Sequence, residues 1–183
     1  MHFDETPRPL EKVAFPEHRF IITLTLVRML WTLKEIRSSL IYDLVTPTSY
    51  DDGGQALLHA IGRMSVPTGS LYKWHTRTEI DRVVHQMLLA HITHVYGAGD
   101  LMNWLYPYPR RGTEAENARE RMMQWARESP KRLRDVTYHC AQILGLVRNY
   151  PSNMPLEPFI IFHAGVVLSC VATIYITRSN ISR

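Results

Sequence analysis

Eighteen consecutive residues, 159–176, carry no charge, and such a run has few places to go. It can cross a bilayer, which asks for about 20 apolar residues. Otherwise it is a helix held inside a folded domain, because a helix apolar on every side has no face suited to water. The run is at the short limit for a span, contains His163, Ser169 and Thr173, and has no second candidate span elsewhere in the chain. Arg178 and Arg183 behind it are compatible with a tail anchor. Gly165, Ser169 and Thr173 recur every four residues and leave one side narrow enough for another helix to approach closely. The expectation is an all-α chain, an irregular helical array with a buried C-terminal hydrophobic helix, and no membrane attachment.

The remaining 165 residues must supply the rest of that array. A chain of 183 residues that is 45% hydrophobic suits one domain burying roughly 70% of the surface its unfolded chain exposes. Charged residues at 21% argue against wholesale disorder. Two cysteines, Cys140 and Cys170, are too few for a disulfide scaffold or a zinc cluster. The start, Met1-His-Phe-Asp-Glu, lacks the basic residues and apolar run of a secretory signal, so an intracellular location is expected.

Residues 1–18, with Pro7, Pro9 and Pro16, read as an irregular lead-in. Structure is expected from Arg19, with one domain over 19–178 and a short tail over 179–183. Over 20–41, Phe20, Leu24, Val27, Leu30, Trp31 and Leu40 recur at helical steps and mark one buried face. The turn formers of 46–54 predict a loop, followed by a short helix over 55–64. Thr78-Glu-Ile-Asp81 has a capping-box form and opens a helix to Tyr96, ended by Gly97 and Gly99, with Ile80, Val84, Leu88, His91 and Val95 inward. Aromatic and proline residues make 100–112 a loop. Thr113-Glu-Ala-Glu116 repeats the capping form ahead of a helix to Arg127. Ser129 caps and Pro130 starts the next helix, whose stripe is Leu133, Val136, Cys140, Ile143, Leu144 and Val147. A proline-rich elbow over 149–158 leads into the last helix, 157–176.

The search for chemistry centres on nine histidines. His91 and His94 have a spacing that can bring two rings to one ion, but no Glu follows as in a metalloprotease helix. We expect a core histidine at 91 and a surface histidine at 94, with His85 too far around to join them. His59, His139 and His163 are candidates for acid–base work because an imidazole as a group suits it near neutrality, yet no recognised nucleophile accompanies them. No catalytic residue, metal site or cofactor is assigned. The basic excess lies in 110–148, with nine Lys or Arg against five Asp or Glu. There Arg119, Arg121 and Arg127 interleave with Glu116, Glu120 and Glu128 as on a solvated helix face, so direct DNA binding by this chain is not expected.

Arg134-Asp-Val-Thr-Tyr-His-Cys-Ala-Gln-Ile-Leu, then Arg148-Asn-Tyr-Pro, then Leu156-Glu-Pro-Phe-Ile-Ile-Phe-His-Ala-Gly-Val-Val-Leu, together resemble the C-terminal part of the fungal-specific transcription factor domain. Leu57-Leu-His-Ala-Ile61 and the stretch near Trp125 fit it more loosely. That domain is the helical regulatory region downstream of zinc-based DNA-binding modules, and this chain has neither the room nor the cysteines for such a module. The resemblance implies a nuclear, transcription-regulatory interaction domain, part of a larger family domain, whose protein partner is a co-regulator or a dimer partner. Tyr138, His139, Glu157, Phe159 and His163 are then the candidate structural or partner-contact residues. Two other readings stay open: a small cofactor-free enzyme of isomerase or cyclase type with a pocket between helices, and a tail-anchored membrane protein. A small-molecule ligand is compatible with the first of these.

Overall fold

The computed structural model describes residues 16–37, 47–64, 76–98, 101, 105–152 and 154–181. Six helices run through them: α1 (Pro16–Arg37), α2 (Pro47–Met64), α3 (Arg77–Gly97), α4 (Thr113–Glu128), α5 (Pro130–Asn149) and α6 (Glu157–Ile181). No strand occurs among the described residues. The all-α expectation is borne out.

The array is built around α3, which packs against α1, α2, α5 and α6. The reason is in its composition. Val83, Val84, Met87, Leu88, Ile92 and Val95 are buried on several sides of one helix, so no single neighbour can cover them. Val84, Leu88, His91 and Val95 are buried as the periodicity predicts, while Ile80 is half-buried. A large cluster joins α3 to α4, α5 and α6, and a smaller one joins it to α1 and α2 through Leu30, Leu58, Ile61 and Ala90.

Burial on several sides makes a polar side chain of α3 costly unless it finds a partner inside the fold, and the Gln86 amide finds one through its nitrogen while its Oε1 stays unpaired. Gln86, wholly buried, donates from Nε2 to the carbonyl of Met64 at 2.6 Å and towards Thr23 Oγ1 at 3.4 Å. Met64 ends α2, so its carbonyl has no partner within that helix, and one amide ties α1, α2 and α3 together. Lys34 of α1 likewise donates to the carbonyl of Tyr96, placing a cation at the negative end of α3. Gly97 lies so near α2 that a Cβ there would stand 2.6 Å from Leu58 Cδ2.

Several local expectations are corrected. The stretch 46–54 is not a loop from Pro47 onward: α2 begins at Pro47, where proline's missing N–H costs nothing. Gly53 and Gly54 of the same stretch pack against Leu33 and Leu30 of α1, and that packing outweighs weak propensity. The helix α1 starts at Pro16, inside the predicted lead-in. Its buried positions are Thr23 and Leu30, with Leu26 and Val27 alongside, while Leu24 and Trp31 are exposed; Leu40 lies outside the described residues. The face is turned by about one position because it must meet both α2 and α3.

The capping box of α3 uses Thr76 and Glu79, not Thr78 and Asp81. Thr113 is the first residue of α4 rather than its cap, and Gly112 holds the cap position at φ 95, ψ −175, a region open essentially to glycine alone. Ser129 sits at the N-cap of α5 with Pro130 at N1, but its side chain makes no cap bond. On α5, Leu146 is buried where Leu144 was expected, and Val147 is half-buried.

The last helix departs most in how it is buried. It runs to Ile181, into the predicted tail. Ile160, Ala164, Val167, Cys170, Val171 and Ile174 pack inward, mainly on α5, with a smaller contact on α3. Phe159, Phe162, Ser169, Thr173 and Ile176 form an opposite stripe that faces outward. Only 39% of Glu157–Ile176 is buried, so the helix is buried on one face and lies at the edge of the array.

Candidate functional site

Two histidine-centred clusters flank α3. The first lies between α3 and α5. His91 Nδ1 meets His139 Nδ1 at 2.9 Å, and the His94 ring stacks on the His139 ring with centroids 4.3 Å apart and planes 6° from parallel. Burial holds all three rings down at about 4, aided in each case by a neighbouring imidazole; Asp135 pulls weakly the other way on His94. All three are therefore neutral at pH 7. A bond between two neutral Nδ1 atoms needs one ring to carry its proton there and the other to accept. His94 is not the surface residue expected, because the crossing of α5 places His139 flat against it.

Beside this cluster a cleft of about 400 Å3 opens between α2, α3 and α5, lined in part by Gln55, His59, Lys131, Arg132 and Asp135. A neutral imidazole can accept a proton, but acyl or group transfer also needs an activated nucleophile. The cysteines do not supply one, since burial pushes the thiols of Cys140 and Cys170 up to about 12 and about 11. No three His, Cys, Asp or Glu side chains converge as metal ligands among the described residues.

The second cluster surrounds His163, which is buried on α6. Its Nδ1 lies 2.8 Å from the Phe159 carbonyl, which can only accept, so Nδ1 carries the proton. Nε2 then accepts from the Tyr106 hydroxyl at 2.9 Å. The rings of Phe159, Phe162, Tyr96 and Tyr106 lie around the imidazole at 4.0, 5.3, 5.9 and 5.9 Å. This geometry locks the tautomer and fastens residues 105–110 to α6.

Of the five candidate residues, Tyr138 and His139 lie together on α5, with Tyr138 exposed and edge-on to His139. Phe159 and His163 lie together on α6. Glu157 is buried at the start of α6, where its Oε2 accepts from the backbone N–H and hydroxyl of Ser152; a carboxylate there also complements the helix dipole. The five do not form one site. The pairing of His91 and His94 with His139, the Tyr106 bond and the Gln86 tie were missed; the three-residue spacing of His91 and His94 and the aromatic content of 104–108 were the signals that bore on them. Phe159 is 45%, Phe162 60% and Ile176 62% exposed, which puts the most apolar helix of the chain at the surface. The chain matches no family model, no curated protein and no solved structure.

Proposed function

We propose that the chain is a helical protein-interaction domain of transcription-regulatory type that binds a protein partner through the outward stripe of α6 and depends on that partner to reach DNA. The observation that carries the interaction role is the exposed stripe from Phe159 to Ile176. Contiguous apolar surface of this kind marks an interaction site. Its two hydroxyls bond along the helix, Ser169 donating to the Gly165 carbonyl and Thr173 to the Ser169 carbonyl, which leaves a narrow strip flanked by Phe162 and Ile176. The nuclear, regulatory part of the proposal rests on the sequence resemblance.

The same helix, Glu157–Ile176, is long and apolar enough to cross a membrane. Its inner face argues for staying in the array, because leaving would uncover the side of α5 on which it packs together with its own buried stripe. The test tethers the chain to a heterologous DNA-binding domain and reads reporter output. Output should change with the native chain and return to baseline with Phe162→Glu plus Ile176→Glu, while far-UV circular dichroism is unaltered. Unchanged output across several promoters, or recovery of the native chain only in the membrane fraction, would overturn the proposal.

A further inference from the structure

We propose that a cavity between α1, α3 and the start of α6 is a binding site for a single aromatic ring. It does not depend on the protein partner proposed above. The cavity measures about 170 Å3 and is lined by carbon, with Val27, Leu30, Leu89 and Ile92 among its walls. Two polar side chains beside it are committed elsewhere: the Thr93 hydroxyl donates to the Leu89 carbonyl at 2.7 Å, and the Lys34 amine donates to the Tyr96 carbonyl. Water needs two to four polar partners to occupy a cavity, whereas an apolar one of about 150 Å3 stays dry and takes up benzene. The size therefore fits one ring.

The walls favour an aromatic ring over an aliphatic one. Trp31, Tyr96 and Phe159 all line the cavity, and Trp31 stands edge-on to Tyr96 with centroids 6.1 Å apart at 82°. Aromatic pairs add to simple burial, and three of the lining side chains can make them with an incoming ring. Access is open as well, since Trp31 and Phe159 keep 46% and 45% exposure. The ring can arrive as a small free aromatic molecule or as the side chain of a polypeptide.

The test titrates the full chain with benzene, indole, N-acetyltryptophanamide and cyclohexane, following methyl resonances of Val27, Leu30 and Ile92. Benzene and indole should shift these methyls saturably, with cyclohexane weaker by about tenfold. Val27→Phe, which fills the cavity from α1, should abolish the shifts; Leu89→Phe fills it from α3 should the first variant fail to fold. Binding of indole without the amide identifies a free small aromatic, and binding of both admits a side chain. Methyls unmoved at millimolar indole, equal binding of cyclohexane, or the same shifts in a folded filled variant would each overturn the proposal.

Discussion

Single atoms decide two of the contacts that hold α3 in place. Gly97 ends the helix where an alanine would raise helix propensity by at most about 1 kcal/mol. Its Cβ would meet Leu58 at 2.6 Å, and Leu58 is itself buried. Overpacking costs about 1–3 kcal/mol, so the clash wins, and Gly97→Ala should lower the urea midpoint without changing the slope of the transition. Gln86→Leu keeps much of the volume but strips the Met64 carbonyl of its donor. A buried carbonyl left unpaired costs about 1–3 kcal/mol, offset in part by removal of the unpaired Gln86 Oε1; the equilibrium urea midpoint should fall, and an unchanged midpoint would show that the Met64 bond contributes no net stability.

At the scale of the helix, α6 has two apolar faces, one buried and one exposed, and they should respond differently to substitution. Ile160→Ala on the inner face removes a buried side chain from the main core cluster and should cost about 2–5 kcal/mol. Phe162→Ser on the outer face should change stability by no more than about 0.5 kcal/mol; a comparable loss from both would mean that the outer stripe is covered in solution. This two-sidedness also explains what was legible in the sequence. The inward residues of α3, most of the α5 stripe and the start of α6 at Glu157 followed from periodicity and proline placement, because one packed face imposes one period. The outward face of α6 did not, since an exposed apolar stripe and a buried one look alike in a sequence. Pro47 to Gly54 was misread for a related reason: its helix rests on α1, which no local rule sees. The candidate site was the least legible part. His91 and His139 meet only because α3 and α5 cross where they do, and nothing in the spacing of either helix encodes that crossing.

For the whole molecule, the three neutral imidazoles make stability depend on pH in a defined direction. His91, His94 and His139 are held at about 4, against about 6.5 in an unfolded chain. Between these values the unfolded state binds more protons than the folded one, so stability rises with pH. Their contribution is fully present above 6.5 and is lost as pH falls towards 4. Ordinary carboxylates titrate near the lower end of that window, and the range from pH 7 to pH 5 isolates the imidazoles. The melting temperature should therefore fall over this range while the helical spectrum at low temperature is retained. His94→Phe keeps a flat ring against His139 and removes one titrating group, so it should flatten the dependence even if it shifts the pH 7 value. A melting temperature independent of pH from 7 to 5, or an equal slope in His94→Phe, would mean that the three rings reach solvent freely and that α3 and α5 part more easily than their packing indicates.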